Sequence, residues 1–334
     1  MKLLVIRFSS IGDIVLTTPV VRCIKMQRPD ITVHYLTKAS MATILEANPY
    51  IDKIHALQDR LTDIIPVLQE ERYDFVVDLH HNFRSYQIKR ALKVPSASFP
   101  KLNVLKWMYV NLKINFMPEE SIVSRYMETV KSLGVTNDGR GLDYFIPPHV
   151  QVLDRDIPMS HWAGYVACVI GGSYATKQLP AEQWQAFIRQ IPYPVILLGG
   201  PEDQVLGEEI ASIDPIKIYN SCGKFSLHES SWLVQKAKVV VSNDTGLMHI
   251  ASAYKKNLIT IWGNTTPAMG MFPYYGNNSL KDSKGAPIHF LENNNLWCRP
   301  CSKLGYRKCP RGHFKCMKDL NMSELANLVK KNWG

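Results

Sequence analysis

The sequence predicts an α/β protein made of two doubly wound, Rossmann-like domains that face a central cleft. Three observations carry this expectation. Short runs rich in Val, Ile and Leu alternate with amphipathic stretches through both halves, a Gly- and Pro-containing segment at 134–148 separates the two series, and 334 residues suit two domains. The boundary is expected near residue 155, giving domains 1–155 and 156–334.

The elements follow in order. In the first half, 2–8, 31–36, 53–57 and 75–80 read as strands. The stretches 15–27, 41–48 and 63–73 between them carry helical spacing, and a further helical stretch covers 121–133. Strand–helix alternation implies parallel strands joined by right-handed crossovers. In the second half, strands are expected at 165–173, 194–200, 216–220, 238–244 and 258–263, with helices at 180–190, 203–212, 226–237 and 246–254. A last helix at 323–333 closes the chain. In such sheets ligands bind outside the carboxyl ends of the strands.

Composition narrows the class. The chain is 46% hydrophobic and 20% charged, an ordinary globular balance with no low-complexity tract. No apolar run approaches the ~18 residues of a membrane span. The opening MKLLVIRFSS is too short an apolar run for a signal-peptide core, and Arg7 breaks it, so it fits a first buried strand. Seven cysteines, an odd number, do not suit a closed disulfide framework, which favours a cytoplasmic setting.

Charge is concentrated. Lys and Arg number 39 against 29 Asp and Glu, a net +10. Two acid-free windows, 84–113 and 298–318, each hold seven bases, together more than the whole excess. Arg84, Lys89 and Arg90 open the first, and aromatics are interleaved along it and just beyond: Phe99, Trp107, Tyr109 and Phe116. Such windows suit an anionic partner, a phosphate, a lipid head group or a nucleic acid; they equally suit solvated loops, or here a core helix with snorkelling lysines. No nucleic-acid motif accompanies them.

The motifs sit at the turns after strands. Ser9-Ser10-Ile11-Gly12-Asp13 follows the first strand and is neither a dinucleotide fingerprint nor a Walker loop. Asp13 lands at a helix start, where it can cap the helix or, kept ionised, accept a proton. In the second half Gly171-Gly172-Ser173 ends a strand, and Lys177 precedes Leu179-Pro180, a combination suited to an anion at a helix N-terminus. Gly199-Gly200 ends the next strand. Ser226 and Glu229 fit a capping box, which explains both structurally. Asn243-Asp244-Thr245-Gly246-x-x-His249 is the strongest signal: free N–H groups, the Thr hydroxyl and the helix dipole suit a diphosphate. Asp244 as a cap and His249 as a core histidine are the structural readings. Gly263-Asn264-Thr265-Thr266-Pro267 ends the following strand.

Taken together, IRFSSIGDIVLTTPV, GGSYATKQLP, GKFSLHES, SNDTGLMHIA and WGNTTP resemble glycosyltransferase family 9, the ADP-heptose:lipopolysaccharide heptosyltransferases, along essentially the whole chain. The resemblance implies a GT-B fold, acceptor on the first domain, nucleotide sugar on the second, and inverting transfer with no metal or other cofactor in the chemistry. It implies Asp13 as general base, with Ser10 and Gly12 shaping its loop on the acceptor side. Lys177 and Thr245-Gly246 would meet the leaving diphosphate, Asp244 and His249 would line the same pocket, and Ser173, Gly199, Gly200 and Glu229 would complete the nucleotide-sugar site. Leu179 stands where the family often has Trp. The first basic window, with Arg84, Lys89 and Arg90, would face the phosphorylated core sugars and lipid A of the acceptor and the anionic inner-membrane surface, making the enzyme cytoplasmic and peripheral. Two other activities suit such a fold, a different hexosyl transfer or sugar-nucleotide epimerisation, and a non-catalytic lipopolysaccharide-binding role is a third reading.

The second window wraps Cys298-x2-Cys301-x7-Cys309-x3-His313-x2-Cys316. Four thiols and a histidine, with His313 an alternative ligand, match the donor types of structural zinc. A metal-free cap on the second domain and redox-active thiols are the other readings.

Overall fold

The computed structural model describes residues 1–282 and 286–334. The first half forms a five-stranded sheet from β1 (Lys2–Ile6), β2 (Thr32–Lys38), β3 (Lys53–Leu57), β4 (Phe75–Asp78) and β5 (Ser96–Ser98), in the order β3-β2-β1-β4-β5. The second half forms a six-stranded sheet from β6 (Val166–Val169), β7 (Val195–Leu198), β8 (Ile218–Asn220), β9 (Val239–Asn243), β10 (Asn257–Trp262) and β11 (Ile288–Glu292), in the order β11-β10-β9-β6-β7-β8. Every pairing is parallel: Ile6 lies opposite both Leu36 and Asp78, and Val169 opposite both Leu198 and Ser242.

Both faces of each sheet are covered by helices, which is why the strands are continuous apolar runs. Leu3 and Val5 belong to one core of the first half, Leu4 and Ile6 to the other; Val166 and Cys168 alternate with Ala167 and Val169 in the second. The last helix, Met322–Asn332, buries Leu325, Ala326 and Val329 against the second half, and Trp333 stacks on Tyr193 at 3.8 Å between ring centroids. Among the described residues no helix is long and apolar enough to cross a membrane.

Several elements differ from expectation. The helix expected at 15–27 divides into Ile11–Val15 and Thr18–Gln27, because the Thr17 hydroxyl donates to the Ile14 carbonyl at 2.6 Å and Pro19 opens the second piece. The stretch at 41–48 is a 3₁₀ segment, Ala39–Leu45. Two short strands went unread. β5 is a three-residue Ser-Ala-Ser edge with little apolar signal, and β11 alternates Ile, His and Phe beyond the last motif. The helix Asn103–Leu112 is no core helix, since none of its residues is buried.

The Gly- and Pro-containing connection is anchored. Arg22, fully buried on the helix Thr18–Gln27, donates to both carboxylate oxygens of Asp138 at 2.8 Å and to the Gly141 carbonyl, and pairs with Asp143. Val135, Leu142 and Tyr144 pack in the first core, whereas Val152 and Ile157 pack in the second.

Candidate active site

The carboxyl ends of the two sheets open onto a cavity of about 470 Å³. At its base the helix Ile11–Val15 meets the helix Gly246–Ala253. Two glycines permit the approach: a Cβ on Gly12 would lie 2.5 Å from Cδ2 of His249, and one on Gly246 would lie 2.8 Å from Cβ of Ile11. The contact brings Ser10, Gly12 and Asp13 into one lining with Ser173, Lys177, Asp244, Thr245, Gly246 and His249.

Asp13 is not the cap of its helix. It is the third helical residue, and one carboxylate oxygen accepts from the backbone N–H (3.1 Å) and hydroxyl (2.8 Å) of Ser10, the N-cap. Its other oxygen lies 2.6 Å from the Arg7 guanidinium. Burial pushes the Asp13 pKa up, but Arg7, the Ser10 donors and His249 outweigh it and hold the carboxyl below its ordinary value. Arg7 is fixed in turn by the carbonyls of Ser9 and Leu79 and by the Tyr126 hydroxyl.

On the facing wall Lys177 lies 2.7 Å from Asp244, whose carboxylate also accepts from the Thr265 hydroxyl at 2.9 Å. The turn is braced from behind by Asn243, which donates to the Ile170 carbonyl (2.7 Å) and accepts from the Leu179 N–H (3.3 Å). Leu179 is fully buried in the core of this half, so its smaller side chain fills the position without reaching the cavity. His249 is buried, its Nδ1 has no hydrogen-bond partner, and burial lowers its pKa to about 4 despite Asp244 and Asp13. It is therefore a neutral imidazole facing the cavity with an unmet polar atom.

The outer wall is cationic. Lys101 and Lys106 come from the first basic window and Lys303 from the second. Burial, then Arg125 and Lys303, lowers Lys106 to about 8. The two windows also touch directly: the Lys113 ammonium donates to the Cys298 and Pro300 carbonyls at 3.1 and 2.8 Å. The second window is thus more than a cap, since Lys303 and Leu304 reach the cavity.

Other expected residues lie outside this lining. Lys89 is corrected: its ammonium is 3.0 Å from the fully buried Asp78 and donates to Ser98, so it neutralises a core carboxylate. Arg84 and Arg90 are exposed on the same helix, Phe83–Leu92, away from the cavity lining. Gly199 and Gly200 form a tight turn around Asp203, whose carboxylate accepts from the Gly200 N–H at 3.0 Å. Glu229 forms the capping box, accepting from the Ser226 N–H at 2.7 Å while its own N–H donates to the Ser226 hydroxyl. Arg7, His80, Lys101, Lys106, Lys303, Thr265 and Thr266 line the cavity without having been singled out as site residues. A charged and buried residue directly after a buried strand, as Arg7 is, is the signal that could have found the first of them.

The four cysteines and His313 lie outside the cavity lining, and no three of their donor atoms lie within 4.8 Å of one another. Cys298 Sγ lies 3.7 Å from His313 Nε2, and the Cys301 thiol donates to the Cys298 carbonyl at 3.0 Å. Burial, then Cys298, raises Cys301 to about 11; burial raises Cys316 to about 12 against the pull of Arg299. As arranged these two are thiols, and all seven cysteines are free of disulfides. The donor types fit a thiophilic ion that would displace their protons on binding.

The profile of glycosyltransferase family 9 (heptosyltransferase) matches residues 62–283, and the chain belongs to that family. It is 26% identical over 293 residues to lipopolysaccharide heptosyltransferase 1 of Campylobacter coli, covering 79% of this chain and 84% of that one. Among solved structures, a family 9 glycosyl transferase from Veillonella parvula superimposes at TM-score 0.75 and 17% identity, covering 99% of this chain and 97% of that one. The Escherichia coli heptosyltransferase WaaC with ADP superimposes at TM-score 0.68 and 19% identity, covering 99% of this chain and all of that one. The fold is GT-B, and the protein is a glycosyltransferase.

Proposed function

We propose that the chain transfers a heptose from an ADP-heptose donor to a lipopolysaccharide inner-core acceptor, with inversion at the anomeric carbon. The observation that carries this reading is Asp13. It is a carboxylate held ionised by Arg7 and Ser10, at the seam where the first βα turn meets His249. An acceptor hydroxyl beside Asp13 gives up its proton to the carboxylate as its oxygen bonds to the anomeric carbon. The bond from that carbon to the diphosphate breaks, and ADP leaves with both electrons. Lys177, the Thr245 hydroxyl and the N–H groups opening the helix Gly246–Ala253 meet the charge that develops. Lys177 then divides its ammonium between Asp244 and the phosphate.

Lys101, Lys106 and Lys303 suit the anionic groups of the acceptor. Beside them Val104, Trp107, Leu112 and Phe116 are exposed on and just beyond a helix without buried residues, an arrangement suited to an anionic membrane surface. On this reading the enzyme works in the cytoplasm, peripheral to the inner membrane. Cys298, Cys301, Cys309 and Cys316, or His313 in place of one thiol, hold a structural zinc that stiffens their loop and takes no part in transfer. Metal analysis of the purified chain checks this, and absence of stoichiometric zinc removes it.

The deciding experiment measures ADP release from a panel of nucleotide sugars with and without truncated lipopolysaccharide acceptors. Acceptor-dependent release from ADP-heptose supports the proposal. Turnover of the nucleotide sugar without acceptor points to epimerisation, and binding without turnover to a non-catalytic protein; either overturns it.

A further inference from the structure

On the outer part of the first sheet, at mid-strand, two buried histidines converge. His34 on β2 and His55 on the edge strand β3 are 5% and 4% exposed, and Nδ1 of His34 lies 3.3 Å from Nε2 of His55. The Tyr73 hydroxyl completes a triangle, 3.0 Å from the first nitrogen and 2.9 Å from the second. The Glu71 carboxylate stands over it, with Oε2 3.8 Å from His34 Nδ1 and Oε1 3.8 Å from His55 Nε2. None of these residues lines the cavity.

The triangle is under-supplied with protons. A phenol O–H and one imidazole N–H satisfy two edges, and the third sets two ring nitrogens against each other with no proton of its own. Two nitrogens about 2.0–2.1 Å from a tetrahedral zinc are roughly 3.3–3.4 Å apart, the spacing found here. We propose that His34 Nδ1, His55 Nε2 and a Glu71 oxygen bind a first-row divalent cation of the zinc class, with the Tyr73 oxygen or a water as fourth ligand. The nitrogen and oxygen donors favour such an ion over calcium or magnesium.

Glu71 now pairs with Lys2 at 2.8 Å and Lys53 at 2.5 Å. Those ammoniums are a third and a half exposed, so they can swing into water as the carboxylate turns one oxygen toward the ion. Bound there, the ion ties the edge strand β3 to β2 and to the turn after the helix Leu61–Glu70.

The test uses the full-length chain carrying Cys298→Ser, Cys301→Ser, Cys309→Ser and Cys316→Ser, so that the thiols of that segment do not compete. Cobalt(II) titration should give saturable visible d–d bands at one equivalent without the sulfur-to-metal charge-transfer band of a thiolate site. Zinc should raise Tm by a few degrees. Both responses should vanish in His55→Gln and fall at least tenfold in affinity in the more exposed Glu71→Gln. No saturable cobalt spectrum in the parent chain, or a spectrum and Tm shift unchanged in Glu71→Gln, would overturn the site.

Discussion

Gly12 lies under the imidazole of His249 with no room for a methyl group: an added Cβ would meet Cδ2 at 2.5 Å. The ring is buried and cannot step aside freely. Gly12→Ala should therefore destabilise the protein by about 1–3 kcal/mol, as overpacking does, and lower turnover by displacing the seam beside Asp13. Adding His249→Ala should recover part of the lost stability while leaving turnover low. Denaturant unfolding of the two single variants and the double variant measures this coupling.

Asp13→Asn should cut turnover by roughly 10²–10⁴-fold while ADP still binds, read by single-turnover assay and calorimetry. The wild-type acid limb of the rate profile should lie below the ordinary carboxylate range, because Arg7 and Ser10 outweigh burial. Arg7→Met removes the opposing charge, so the Asp13 pKa rises and the limb should shift to higher pH.

Lys106 loses its proton near pH 8, so anion binding by its ammonium should weaken as pH rises through that value. Acceptor KM should climb across this range in the wild type. Lys106→Arg keeps its charge and should flatten the rise, whereas Lys106→Gln should give a high KM at every pH.

Lys89→Met should leave acceptor KM unchanged yet cost up to about 3 kcal/mol of stability, because it strands the buried Asp78 carboxylate. Burial raises the Asp78 pKa, but the His81 N–H, Lys89 and Ser85 bring it below its ordinary value. A depressed carboxyl stabilises the fold above its unfolded pKa and loses that contribution as pH falls through its folded pKa. Without Lys89 the acid loss should begin at higher pH, which unfolding curves across the acid range will show.

The parallel halves were legible because buried strands and amphipathic helices leave periodic traces, and the seam was legible because Gly12, Asp13, Asp244, Thr245, Gly246 and His249 follow strands directly. The cationic wall was harder to read. Lys101, Lys106 and Lys303 belong to windows where charge is plentiful, and only folding separates them from Lys89, which serves the core, and from Arg84 and Arg90, which lie away from the cavity lining. Glu229 had two readings from the start, and its carboxylate is engaged by the Ser226 N–H.

Arg22 gives the connection between the halves a fixed shore. Arg22 moors Asp138, Gly141 and Asp143 to the first half, while Asn137 donates to the Tyr274 hydroxyl at 2.7 Å and Tyr144 meets His228 at 3.0 Å, so the connection is tied to both halves. Across the mouth, Lys113 hooks the carbonyls of Cys298 and Pro300. The Ile122 N–H also donates to the Gly270 carbonyl at 2.7 Å, and Glu46 meets His228 at 3.0 Å, so any wider opening of the cleft has to release contacts all along the seam rather than one lysine.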